Sequence, residues 1–235
     1  MKTTHTPLWL LLCALLTGCQ TLQGERDGDI YYSPGGAYAI DLSVNTFRGQ
    51  VSLEETCTPH AGSTTFWDGS GRMFRVDYHQ AEGNPELTVP RFASDLTLFN
   101  LVLNNYLRDR IAPAPMVTSV EAAHREFLQD AEPRSLFAIV SLDVDGSLAP
   151  SENAVSGTHY YGFLLFKQGE LIYVVQHRQP VMMPEKMKAV LLRLADAMEI
   201  PGRTRNETDL ERLRRVLARM APGGKREPAR LCNAG

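Results

Sequence analysis

Only one stretch of this sequence, residues 8–16, is apolar enough to concern a bilayer. It is too short to span one, which takes about 20 apolar residues. No second run comes near that length. Nor is there a basic excess: 24 Lys and Arg stand against 27 Asp and Glu, a formal net charge of −3 that offers no footing for a nucleic-acid partner. Internal repeats and low-complexity tracts are missing. So are the compact signatures of catalysis. No Gly-x-Ser-x-Gly elbow, Gly-x-Gly-x-x-Gly or phosphate-binding loop occurs, and Gly69-Ser70-Gly71 and Ser156-Gly157 read as loop glycines. Glu54 and Glu55 are neighbours on a predicted strand, so they point to opposite faces and cannot share one proton-transfer task.

Beyond residue 18 the histidines His60, His79, His124, His159 and His177 are irregularly spaced, with no His-x-His or i, i+4 pair of the kind that strand and helix metal sites favour. His159 and His177 flank a predicted hairpin and His79 ends another strand. With Asp143 or Asp145 they are the group to inspect for metal-dependent or hydrolytic chemistry. Polar residues at strand ends are the plainer reading. Asp143-Val144-Asp145-Gly146 has Glu152 six residues beyond its glycine, yet its ligand spacing is too short for a calcium loop and a strand precedes it. An acidic hairpin loop fits better.

What is present begins with Leu-Trp-Leu-Leu-Leu-Cys-Ala-Leu-Leu-Thr-Gly-Cys over residues 8–19, with Lys2 ahead of it. A charged start, a short apolar core and small residues before the cut mark a secretory signal. Leu16-Thr17-Gly18-Cys19 resembles the lipobox of a bacterial lipoprotein signal peptide. An ordinary cleaved signal, with Cys19 incidental, is the alternative. The resemblance implies cleavage before Cys19 once its thiol carries diacylglycerol, and a palmitate-bearing mature chain. Two or more acyl chains hold a protein stably where one holds it marginally. Gln20 follows the cysteine rather than Asp. In enterobacterial-type sorting that implies the outer membrane, on its inner leaflet facing the periplasm. Loss of residues 1–18 leaves 217 residues and, with Lys2 gone, a net charge of −4.

Of four cysteines, Cys13 leaves with the signal and Cys19 is acylated, so Cys57 and Cys232 remain. In an oxidising compartment these two are disulfide candidates, the alternative being two buried free thiols. A bond between them closes a very long loop, nominally about 4–5 kcal/mol in the chain-entropy model. Nothing around Cys57 resembles a thiol-protease signature.

The chain divides into a signal (1–18), a lipidated polar tether (19–30), a globular domain (31–221) and a polar tail (222–235). Strands are predicted over residues 37–44, 50–57 and 72–80 from period-two alternation. Residues 62–71, rich in Ser, Thr and Gly, read as a hairpin loop carrying Phe66 and Trp67. From 90 to 110 the period becomes helical, with Leu96, Phe99, Leu103 and Tyr106 or Leu107 on one face, until Pro113 and Pro115 stop it. Strands over 116–128 and 135–143 follow. The clearest hairpin pairs 158–167 with 171–177 across Gln168-Gly169-Glu170. Residues 184–199 form a second helix through Met187, Val190 or Leu191, Leu194 and Met198, and 207–220 a third, opened by the capping box Thr208 and Glu211.

Hairpin-linked strands interleaved with helices predict a single α+β domain, an antiparallel sheet with helices packed on it as an α/β/α sandwich. Over residues 31–40, 90–110, 160–176 and 184–198 the layout is similar to the PsbP-like α/β/α sandwich. Its Tyr-x-x-Pro-x-x-x-(Tyr/Phe)-x-(Ile/Val) opening corresponds to Tyr31 through Ile40. The Pro-x-x-Trp usual after that family's first strand is absent. That resemblance implies an accessory binding or assembly subunit rather than an enzyme. The arginine-rich side of the third helix (Arg212, Arg214, Arg215, Arg219) reads as a solvated face, or as a docking surface for anionic lipid or an acidic partner. The sequence therefore leads to a non-catalytic binding or scaffold module, held to the membrane through Cys19, with an envelope protein as partner and no cofactor. A metal-dependent or hydrolytic enzyme is the rival. A small lipid or aromatic-ligand carrier using Phe66, Trp67 and Tyr160 is the third reading.

Overall fold

The computed structural model of the chain describes residues 24–43, 46–58, 60–81, 84, 93–148 and 156–201. The small strands β1 (Glu25–Asp27), β2 (Ile30–Tyr32) and β3 (Ala39–Asp41) come first. The longer β4 (Ser52–Cys57), β5 (Ala61–Trp67) and β6 (Met73–Gln80) follow, then helix α1 (Asp95–Tyr106). After it come β7 (Val117–Leu128), β8 (Ser135–Val144), β9 (Gly157–Gln168), β10 (Leu171–Gln179), helix α2 (Pro184–Ala197) and β11 (Met198–Glu199). The large sheet runs in the order β4-β5-β6-β10-β9-β8-β7 and the small one β1-β2-β3-β11. Every pairing is antiparallel. The protein is α+β, with far more strand than helix.

Alternation along the central strands splits the large sheet between two cores. Leu136, Ala138, Val140, Phe163, Leu165, Ile172 and Val174 pack on one face with Leu98, Phe99, Val102, Leu103 and Tyr106 of α1. We call this the outer face. Phe137, Ile139, Leu164, Phe166, Tyr173 and Val175 point the other way, to Met187, Leu191 and Leu194 of α2, to Tyr31 and Ile40 of the small sheet and to Tyr38 just before β3. Each such fully buried side chain is worth about 1.5–3 kcal/mol. The ring of Tyr31 meets Phe66 edge-on at 5.4 Å, and Phe166 stacks on Tyr173 at 5.2 Å. Ser94 caps α1 by accepting from Thr97 N at 3.2 Å.

Several expectations change. The stretch expected as a Ser/Thr/Gly-rich loop is strand β5, and Phe66 lies fully buried within it. Its glycine serves the partner strand: Gly62 pairs with Tyr78, and a Cβ at Gly62 would overlap the Tyr78 ring. Residues 24–29, read as tether, belong to the folded body, because Gly28 at φ +61° turns β1 back as a hairpin into β2. Gly24 N donates to Glu55 Oε2 at 2.9 Å. The first helix begins at Asp95, with Leu96 exposed rather than buried. The second ends at Ala197, and Met198 is buried as strand β11. The strand expected over 37–44 shrinks to three residues. The predicted third helix, with Arg212, Arg214, Arg215 and Arg219, lies outside the described residues. So do the lipobox, Cys19 and Cys232.

Candidate functional site

The outer face of the large sheet is divided. Under α1 it is apolar, but on β5, β6 and β10 beyond the helix the same face carries Ser63, Thr65, Arg75, Asp77, His79 and Gln176. The antiparallel register sets Gln176 opposite Arg75 and Ser63 opposite Asp77. Asp77, 1% exposed, accepts from the Arg75 guanidinium at 2.8, 3.0 and 3.1 Å, and on Oδ2 from Gln176 Nε2 at 2.9 Å. The same Gln176 amide donates to Tyr106 Oη of α1 at 2.5 Å. One buried carboxylate thus orients a guanidinium, an amide and a phenol across two strands and a helix. The Arg75 pKa is raised: burial lowers it, but the Asp77 carboxylate outweighs that. Burial, followed by the Asp77 charge, pushes the Tyr106 hydroxyl well above its ordinary value, so it stays protonated.

Beside this network opens a pocket of about 370 Å³, with His79 on one side, Val102, Asn105 and Tyr106 of α1 behind it, and Arg108, Asp109 and Arg110 on its rim. The rim is a π turn, Leu107–Ile111, in which Ala112 N donates to Leu107 O, five residues back, at 2.8 Å. Such widened turns are frequent at functional sites. Arg108 donates to neighbouring Asp109 at 2.6 and 2.8 Å, and hydrogen bonding from that guanidinium holds the Asp109 carboxyl below the usual range. A second depression, of about 360 Å³, lies between the start of α1 and the β9–β10 turn, lined by Asp95, Pro133, Arg134 and Lys167.

The histidines singled out from the sequence are not brought together. His79 and His159 lie on the outer face, at opposite ends of their strands, and His177 lies on the inner face. His177 stacks on Phe74 with ring centroids 4.6 Å apart and donates from Nδ1 to Met73 O at 3.0 Å. Burial pushes its imidazole below the ordinary value. Among the described residues no group of three His, Cys, Asp or Glu is placed to hold a metal ion. Asp143 accepts from the Ser119 and Thr158 hydroxyls, both at 2.7 Å, and Asp145 from the hydroxyl and amide of Ser147. These bonds hold both carboxyls below the usual range. Phe66, Trp67 and Tyr160 form no common cleft. Phe66 is core, Trp67 ends β5 on the outer face, and Tyr160 packs on the inner core two strands beyond β6. Cys57, half-buried at the end of β4, has its Sγ 3.9 Å from Tyr78 Oη.

The network and the pocket rim were not found by sequence reasoning. The one local signal was Gln176, a polar residue on the face shared with Ile172 and Val174 inside an apolar strand.

No helix among the described residues is long and apolar enough to cross a membrane. No family model and no curated protein matches the chain. Among solved structures, a crystal structure from Bacteroides thetaiotaomicron VPI-5482 at 1.50 Å resolution is similar over 78% of this chain, with 12% identity and a TM-score of 0.37. The match covers 50% of that structure, so the chain spans about half its length.

Proposed function

We propose that the chain is a lipid-anchored protein of the bacterial envelope, held through Cys19, that acts as a non-catalytic binding module with its site on the outer face of the large sheet. The observation that carries the binding reading is the Arg75–Asp77–Gln176–Tyr106 network, which fixes the floor of an open pocket. Both oxygens of Asp77 are engaged by their neighbours, an arrangement suited to orienting a surface rather than to moving protons. The lipobox Leu16-Thr17-Gly18-Cys19 supports the anchor and, with Gln20, an outer-membrane position facing the periplasm. A disulfide between Cys57 and Cys232 fits that oxidising setting. The architecture is read more finely as an α/β/α sandwich, supported by α1 and α2 packing on opposite faces of the large sheet.

The test is metabolic labelling with a palmitate analogue, followed by fractionation. The wild-type chain takes up label and sediments with membranes, and Cys19→Ala does neither. An unlabelled wild-type chain, or one released by lysis without detergent, sinks the anchor. The arginines Arg212, Arg214, Arg215 and Arg219 remain a proposed docking surface, to be tested by crosslinking in native envelopes.

A further inference from the structure

The pocket at the end of α1 is assembled from hydrogen-bond donors. Tyr106, 7% exposed, accepts from Gln176 through its hydroxyl oxygen, while no described residue accepts the proton that the hydroxyl itself can give. Its orientation is fixed from behind, since the Gln176 amide is held by Asp77 and Asp77 by Arg75. Arg110 lines the same pocket as this hydroxyl. Arg110 stands on the rim with no acidic partner among the described residues, whereas Arg108 and Asp109 neutralise one another. The pocket therefore presents one buried O–H and one uncompensated guanidinium, with Val102 as an apolar wall.

We propose that this pocket binds the carboxylate of a small organic acid, with Arg110 and the Tyr106 hydroxyl as its two donors. One spare guanidinium matches one negative charge, and the planar fork of arginine suits a planar carboxylate. At about 370 Å³ the pocket stands at the small end of ligand-binding cavities. The proposal names the ligand class for the binding module inferred above, and it fails separately from the anchor, which palmitate labelling tests.

The experiment titrates the full chain, in mild detergent, with propanoate, with the dipeptide Ala-Ala and its C-terminal amide, and with inorganic phosphate, read by calorimetry. Saturable binding of propanoate and Ala-Ala is expected, weakened tenfold or more in Arg110→Gln and in Tyr106→Phe. Binding of the amide and of phosphate is expected to be at least tenfold weaker than that of Ala-Ala. Arg110 is exposed, so Arg110→Gln leaves the fold intact and decides the matter even where Tyr106→Phe does not fold. The proposal is overturned if no carboxylate saturates the wild-type chain, if the amide binds as well as the acid, if phosphate is preferred, or if Arg110→Gln binds like wild type.

Discussion

Replacing Asp77 by Ala removes the one carboxylate that organises the polar half of the outer face. In the folded protein it engages Arg75 through three contacts of 2.8 to 3.1 Å and Gln176 through one of 2.9 Å. Truncation leaves a guanidinium whose side chain keeps only 24% of its exposure, and an amide whose second proton has nowhere to go. Removing one partner of a buried ion pair costs about 3–5 kcal/mol. Arg75 recovers part of its hydration through its exposed quarter, which sets the expectation near the lower end, about 3 kcal/mol. For a chain of this length that corresponds to a fall in Tm of about 6–12 °C. Urea unfolding followed by tryptophan fluorescence, with the slope m unchanged, measures it directly. Desolvation makes a second demand. In Arg75→Met with Asp77→Leu no charge is stranded, so the double variant should lose less than half of what Asp77→Ala loses. A cost under about 1 kcal/mol for Asp77→Ala, or a double variant as unstable as the single one, refutes the reasoning.

Gly62→Ala forces a methyl group against the Tyr78 ring, which is fully buried and donates through its hydroxyl to Pro34 O at 2.8 Å, so the ring cannot yield. A loss of about 2–3 kcal/mol is expected by urea unfolding, and a neutral result refutes the close approach. Burial raises the Asp68 pKa, but hydrogen bonds from the Ser70 hydroxyl and from the amide and guanidinium of Arg72 outweigh it, bringing the carboxyl to about 2. A folded pKa below the unfolded one means that this stability is complete above about pH 4 and lost as pH falls through 2. Asp68→Asn should accordingly flatten acid unfolding in that window by about 1–2 kcal/mol, a discounted figure because Arg72 retains 28% of its exposure. The imidazole of His177, depressed by burial, works on a different window: stability is complete above the unfolded value of about 6.5 and declines as pH drops below it, and His177→Phe should remove that part of the decline. Non-reducing peptide mapping should join the Cys57 and Cys232 peptides, and reductant should lower Tm; two alkylatable thiols in the native, oxidised protein refute the bond.

The central hairpin was legible because both of its strands alternate, and because Gly169, at φ +59°, sits in the tight turn between them. Helix α2 was legible from Met187, Leu191 and Leu194, which recur on one stripe. Strand β5 was not, since Gly62, Ser63, Thr64 and Thr65 carry loop composition; their reasons lie across the sheet, in the Tyr78 ring and in the Tyr31 hydroxyl that meets Thr64 Oγ1 at 2.9 Å. The β1 hairpin escaped because all three residues of β1 are exposed and leave no apolar period to read. The site escaped for a related reason. Alternation assigns Arg75, Asp77 and His79 to the polar side of β6, which a local reading equates with solvent. Only the register places Gln176 beside Arg75, and only the path of α1 brings Tyr106 over both.

The contacts of the small sheet bear on where the proposed anchor attaches. The Arg26 guanidinium donates to Val51 O at 3.3 Å and Gly24 N to Glu55 Oε2 at 2.9 Å, so the start of the described chain is held against β4. Whatever path the intervening residues take, Cys19 stands five residues before Gly24, within about 18 Å at full extension. A lipid on Cys19 would therefore hold Gly24, and with it β4, within that reach of the bilayer. His79 pairs with Ala61, the first residue of β5, and so the His79 side of the pocket lies at the end of the sheet where β4 finishes and β5 begins. His177, two residues from the end of β10, marks the other end, beyond which Val181, Met182 and Met183 form an exposed apolar turn. The Gly24–Glu55 contact lies on the inner side of the large sheet and the pocket opens on its outer face, so the proposed anchor would limit how far the domain stands from the bilayer without fixing which end of the sheet faces it.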